Sequence, residues 1–203
     1  LREGADLVTA STHKTFFGPQ GGIILSNMEE SQWKKFKGSV FPGVVSNYHL
    51  HRFPALAMAL LEFQEFGVEY AEQVLKNAKA LAQELHALGF NVQAEEFGFT
   101  QSHQCIVEVS EFGGGKTVGD KLEENNIILN KNLLPNEKIT MKSLDNPSGI
   151  RIGVQEMTHY GKKEEQMKVL AGLIAKALKD DKNGKDEVID FRKQFLQVQY
   201  TFK

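Results

Sequence analysis

An α/β fold, with strands and helices grouped rather than strictly alternating, is the class this 203-residue sequence predicts. Three observations carry it. Short β-rich runs bounded by glycine fill the first quarter, a long helical periodicity occupies the middle, and the order strand, strand, helix, strand follows Gly89, with a further strand over 149–154. Apolar side chains make up 41% of the chain, and 24 Lys and Arg face 26 Asp and Glu for a net charge of −2. That balance is enough for a real core and fits neither a disordered nor a fibrous chain.

Taken in order, residues 6–10 alternate as a strand, the glycine-rich 17–22 read as a tight turn, and 23–26 form the second strand. Met28, Trp33 and Phe36 space a short helix over 27–37, and 38–47 (GSVFPGVVSN) is a loop punctuated by Gly and Pro. Apolar residues over 55–66 recur too densely for a surface helix, which predicts burial on most sides. Gly67 predicts a break, after which Ala71, Val74, Leu75, Ala78, Leu81, Ala82 and Leu85 space a helix over 70–88 that Gly89 ends. Strands follow at 90–94 and 104–110. Gly113-Gly114-Gly115 opens a helix over 116–126, and 127–130 is the next strand. The remainder reads as an amphipathic helix over 162–178, a charged linker over 180–187 and a last helix over 188–198.

Composition narrows the function classes. The single Cys105 excludes an internal disulfide framework and a multi-cysteine metal site, and it fits a reducing, cytoplasmic compartment. No apolar run approaches the roughly 18–20 residues that a membrane helix requires. Near-neutral charge argues against nucleic acid as the main partner. The first residue is Leu1, which reads as a piece of a longer chain.

Chemistry concentrates at a few points. Ser11-Thr12-His13-Lys14-Thr15 lies at the end of a strand, where neighbours in the fold can desolvate the Lys14 ammonium and free its amine for a Schiff base. Such an amine meets a carbonyl substrate or pyridoxal phosphate. The plain alternative is a solvated surface lysine. Gly18-Pro19-Gln20-Gly21-Gly22 lacks the pattern of a nucleotide loop and reads as a turn that brings backbone close to Lys14. Phe41-Pro42-Gly43, with Ser46 and Asn47, offers amides for an anion. Arg151, between Ile150 and Ile152 in a strand, calls for either an internal salt bridge or a substrate carboxylate held by two parallel hydrogen bonds. Asn130-Lys131-Asn132 reads as turn formers at a strand exit. His49 and His51 lack further ligands at metal spacing, and Cys105 reads as an inert small hydrophobe.

The run from Gly4 to Gly22 resembles the pyridoxal-phosphate lysine segment of the serine hydroxymethyltransferase family, and the archaeal branch most closely. Phe41-Pro42-Gly43, Asn130-Lys131-Asn132 and Ser148-Gly149-Ile150-Arg151-Ile152-Gly153 are similar to that family's later motifs, in the same order. The resemblance implies the C-terminal part of a fold-type I pyridoxal-phosphate transferase: the end of the large cofactor domain over 1–47, a linking helix over 48–67 and a small α/β domain over 68–203. It also implies that an N-terminal half is missing and that the fragment is inactive alone. Lys14 would carry the cofactor as an internal aldimine, His13 would sit beside it, and Ser11 would assist exchange at the lysine. Arg151 would bind the substrate carboxylate, and Asn132 would lie near the pterin. Ser46 and Asn47 stand where many members have two glycines whose amides reach the cofactor phosphate across a homodimer interface. Gln20 replaces an arginine common in the loop after the lysine. The implied reaction interconverts serine and glycine and passes one carbon to tetrahydrofolate or tetrahydromethanopterin. A threonine aldolase on the same scaffold and a non-catalytic interaction module are the alternatives.

Overall fold

The computed structural model describes residues 1–180 and 183–203. They form two compact units, Leu1–Phe66 and Gly67–Lys203, each taken here by itself.

The first unit is built on an antiparallel hairpin of β1 (Leu7–His13) and β2 (Phe17–Ser26). Pairing runs regularly from Leu7 opposite Ser26 to Ser11 opposite Gly22, then jumps to His13 opposite Phe17. Thr12 alone therefore faces the stretch from Gly18 to Gly21, a wide bulge. This corrects the turn expected over 17–22: those residues belong to β2, and the reversal is at Lys14, Thr15 and Phe16. The glycines serve the bulge instead. A Cβ on Gly18 would stand 2.7 Å from the Phe16 ring and 2.8 Å from the Thr12 carbonyl oxygen, so no larger residue fits without movement. Helix α1 (Glu30–Gly38) follows, then an irregular turn over Ser39–Val44 that breaks from helical geometry at Phe41 and contains the cis Phe41–Pro42 peptide bond.

Helix α2 (Arg52–Ala87) runs without interruption through Gly67, which corrects the expected break. A helix-interior glycine costs about 1 kcal/mol relative to alanine, too little to end a helix whose other residues favour it. The burial expected over 55–66 is also overturned. Ala59 is buried, but Phe53, Met58, Leu60 and Leu61 are each about half exposed, so density of apolar residues marks surface that the described residues leave open to solvent.

The second unit has a four-stranded antiparallel sheet in the order β3 (Asn91–Val92), β4 (Gln104–Glu108), β6 (Gly149–Gly153), β5 (Asn130–Asn132). The strand expected over 127–130 thus begins at its last residue, and Asn130-Lys131-Asn132 is a ladder strand rather than a turn, paired along β6. Alternation along β4 and β6 buries Cys105, Val107, Ile150 and Ile152. Against them pack α2 through Val74, Ala78, Leu81 and Leu85, α3 (Gly115–Glu124) through Val118 and Leu122, and α6 (Glu164–Leu178) through Met167, Ala171 and Ile174. Two short helices, α4 (Met141–Asp145) and α5 (Gln155–His159), flank β6, and α7 (Lys185–Lys193) closes the chain's regular structure. Of the expected linker over 180–187, residues 181 and 182 lie outside the described residues, and α7 already includes Lys185 to Glu187. The expected last helix over 188–198 is correspondingly earlier and shorter.

One polar knot sits inside this core. Asn77 is fully buried; its Nδ2 donates to the Thr158 hydroxyl and to the Lys162 carbonyl oxygen, both at 2.8 Å, while its Oδ1 accepts from Gln73 Nε2 at 2.9 Å. Its hydrogen-bonding capacity is nearly filled, which is what permits an amide there.

Candidate functional site

Ser11, His13 and Lys14 come together on the first hairpin. Alternation turns Thr12 inward, where it is 3% exposed, and leaves Ser11 and His13 on the opposite side of β1. The Thr12 hydroxyl donates to the Pro19 carbonyl oxygen at 2.6 Å, tying the bulge to β1. Arg52 Nη1 donates to the Gln20 carbonyl oxygen at 2.5 Å and holds the same bulge from α2. At the hairpin tip, the Phe16 and Phe17 rings stack against Phe63 at 5.0 and 5.3 Å. Lys14 is left exposed at the reversal and is bonded to none of the described residues. Local neighbours were expected to desolvate its ammonium; the rings that could do so turn to Phe63 instead. His13 Nδ1 lies 3.3 Å from both the Gly21 amide and the Gly21 carbonyl oxygen, a contact open to either tautomer.

The later loop is open. Gly43, Ser46 and Asn47 are all exposed, and the Phe41 ring lies 4.4 Å from that of Tyr48. Asn47 Oδ1 accepts the Tyr48 amide at 2.8 Å, which leaves its Nδ2 and the neighbouring amides as donors for an anion.

In the second unit the ladder makes neighbours of two motifs that are far apart in sequence. Asn130 pairs with Arg151 and Asn132 with Gly149. Arg151 points away from the buried Ile150 and Ile152, is exposed, and its Nη2 donates to Asn130 Oδ1 at 3.2 Å. Among the described residues no carboxylate pairs with it, so the internal salt bridge is not formed. Gly149 is fixed by crowding: a Cβ there would stand 2.9 Å from the Asn132 carbonyl oxygen and 2.5 Å from Leu134. Asn132 Nδ2 donates to the Leu133 carbonyl oxygen at 2.6 Å. Burial, then the Arg151 charge, lowers the pKa of His103, which favours its neutral form.

Four residues that position these groups escaped the sequence reading: Thr12, Arg52, Asn130 and Glu137. The Glu137 carboxylate accepts from the Leu134 amide at 2.9 Å and from the Ser148 amide and hydroxyl at 3.0 and 2.9 Å. It fastens the loop after β5 to the start of β6. Thr12 and Asn130 had a signal, their places in the Ser11-Thr12-His13-Lys14-Thr15 and Asn130-Lys131-Asn132 motifs. Burial pushes the Cys105 thiol up to about 12, in keeping with an inert core residue. His49 and His51 stand with rings 6.0 Å apart, and among the described residues no group of three His, Cys, Asp or Glu could hold a metal ion. No helix among those residues is long and apolar enough to cross a membrane.

Comparison with known proteins bears on what this arrangement belongs to. The chain is 53% identical to the serine hydroxymethyltransferase of Sulfolobus acidocaldarius and 50% identical to that of Methanosphaera stadtmanae, in each case over all of this chain and 47% of the relative. It spans about half the length of the curated relatives it matches. Among solved structures, the L-threonine transaldolase of Pseudomonas fluorescens, determined in its internal aldimine state, superposes with a TM-score of 0.85 at 32% identity, over 98% of this chain and 45% of that one. Such a match gives this chain the mixed α/β fold of the corresponding part of that fold-type I enzyme. Since the sequence profile named "Serine hydroxymethyltransferase" matches residues 2–174, the lysine hairpin and the arginine strand included, the chain belongs to the serine hydroxymethyltransferase family.

Proposed function

We propose that this chain supplies the lysine and the carboxylate-binding arginine for pyridoxal-phosphate-dependent interconversion of serine and glycine, with the hydroxymethyl carbon passed to a reduced pterin, tetrahydrofolate or tetrahydromethanopterin. The observation that carries this reading is the hairpin: an exposed, unpaired Lys14 held at a reversal by a buried Thr12 anchor, with Ser11 and His13 on the adjoining strand. The donor set fits a pyridoxal aldehyde, because a primary amine is free to bond it while an imidazole and a hydroxyl stand nearby. When bound, that cofactor supplies an electron sink for charge developing at the substrate α-carbon.

The chain's own residues do the rest. Lys14 would hold the cofactor through its amine, a group that can also take a proton. Ser11 offers a hydroxyl beside it for proton exchange. His13, its Nδ1 engaged by the Gly21 backbone, leaves Nε2 free to bond. Gly43, Ser46 and Asn47 offer amides to the phosphate. Asn130 occupies one N–H of Arg151 and steadies its guanidinium, leaving the remaining donors for a substrate carboxylate. Asn132 lies two ladder pairs away, at the position this reading assigns to the pterin. Homodimerisation and a cytoplasmic location belong to the same reading. The likeness to an L-threonine transaldolase supports a second one, in which the same residues act on another β-hydroxy amino acid; dependence of glycine exchange on a pterin separates the two.

The test is borohydride trapping with pyridoxal phosphate, followed by absorbance and peptide mapping. A reduced adduct on Lys14, absent from Lys14→Ala, is expected. A folded wild-type protein with no adduct on Lys14 overturns its assignment as the cofactor lysine.

A further inference from the structure

A second, unrelated cavity lies wholly within the Gly67–Lys203 unit. It is a groove of about 440 Å³ between β6, α5, α6 and α7, within the range of small-molecule sites. Its walls are apolar, with Ile128, Leu129, Ile174, Val188 and Leu196 among the lining residues. One charge in it is unusual. Lys162 is only 7% exposed, yet its ammonium is bonded to none of the described residues. It faces three rings instead, with Nζ 4.7 Å from the centroid of Phe195, 5.8 Å from Phe191 and 5.9 Å from Tyr160.

Desolvating an ammonium without an anion is costly, and ring faces return only about 0.5–2 kcal/mol each. Arg192, also on the groove and also unpaired, adds a second cation. Glu156 is the one acidic lining residue, so cations outnumber acids in a cavity that is otherwise hydrocarbon. In agreement, burial and then Arg192 lower the Lys162 pKa more than Glu156 raises it. A site with apolar walls and an unneutralised cation pair suits a ligand with one negative end and a hydrocarbon body.

We propose that this groove binds an amphipathic monocarboxylate, a medium-chain or aryl acid, with its carboxylate on Lys162 and Arg192 and its hydrocarbon among Ile128, Leu129, Val188 and Leu196. The groove shares β6 with Arg151, through Ile152 and Gly153, but contains none of the proposed cofactor or carboxylate residues and needs no cofactor.

Octanoate and octanol are the probes, titrated by calorimetry and by methyl chemical shifts. Octanoate should bind at least about tenfold more tightly than octanol, a difference of about 1.4 kcal/mol, with shifts confined to the methyl groups that line the groove, those of Ile128, Leu129, Val188 and Leu196 foremost. Lys162→Met keeps the packed stem but removes the charge, and should reduce octanoate to the affinity of octanol. Arg192→Gln, at an exposed position, should weaken octanoate by roughly threefold to tenfold and decides the matter if the Lys162 variant does not fold. Equal affinity for the two probes, shifts elsewhere, or octanoate binding indifferent to both variants overturns the proposal and leaves Lys162 as a stem packed on rings.

Discussion

The Thr12 hydroxyl reaches the Pro19 carbonyl oxygen at 2.6 Å across the one place where the β1–β2 ladder is interrupted. With the Arg52 bond to the Gln20 carbonyl oxygen, it closes a bulge that the ladder leaves open. Thr12→Val preserves shape and removes the donor, so it should cost about 1–3 kcal/mol, whereas Thr12→Ser should cost less. Chemical denaturation measures both, and the yield of Lys14 adduct should fall in the same order if the bulge sets the lysine's position.

Arg151 offers a planar fork of which Asn130 takes one N–H. Lysine cannot reproduce two parallel bonds to a carboxylate. On the proposed serine–glycine reading, Arg151→Lys should raise the KM for serine about tenfold or more, with a smaller effect on kcat. An unchanged KM removes Arg151 from carboxylate binding.

Asn77 has no apolar equivalent. Asn77→Ala would take a partner from Thr158, Gln73 and the Lys162 carbonyl oxygen at once, although Thr158 keeps its bond to Val154 and Gln73 its bond to Glu164, at a cost of about 2–4 kcal/mol. A double-mutant cycle with Thr158→Val should show strong coupling. Additive losses would mean that water replaces the amide.

Cys105 is buried, and its thiol is pushed from an ordinary 9.0 to about 12. The folded value lies above the unfolded one, so its contribution is complete below pH 9 and is lost as the pH rises toward 12, by up to about 1.4 kcal/mol per pH unit. At neutral pH the native protein should resist alkylation by iodoacetamide and react only on unfolding. Rapid native labelling would show that the core opens locally.

Glu137 titrates with the opposite sign. The amides of Leu134 and Ser148, with the Ser148 hydroxyl, hold its carboxyl below the ordinary 4.5. Its contribution is therefore present above pH 4.5 and fades as the pH falls through the lowered value. Protection of the Ser148 amide, measured against its intrinsic exchange rate, should fall in acid and, at neutral pH, in Glu137→Gln. Exchange that ignores both changes means that the β5–β6 loop is held elsewhere.

Periodicity made much of this architecture legible. The alternation around Ile106 and Val107 and the spacing of Val74, Ala78, Leu81 and Leu85 are local signals of faces that are in fact buried. Arg151 between two core isoleucines was readable for the same reason. What escaped depends on partners distant in the chain. Gly18 to Gly22 carries the composition of a turn, but Thr12 and Arg52 supply the bonds that keep it in a strand. Gly67 carries the composition of a stop, but its neighbours continue the helix. The apolar density over 55–66 was real; what it faces was not legible, because density records how much surface seeks cover and not what covers it. At the site, the lysine and its hydroxyl and imidazole neighbours could be named from their motif, whereas Glu137 has no motif and is defined only by the two loops it joins.

The bond from Arg52 is made to the main-chain oxygen of Gln20, not to its side chain. Every residue type offers that same oxygen, so the clasp is indifferent to what position 20 displays. A glutamine can therefore stand where relatives of this family commonly carry arginine without loosening the hairpin that presents Lys14. Position 20 can vary without changing the bond that holds the lysine hairpin.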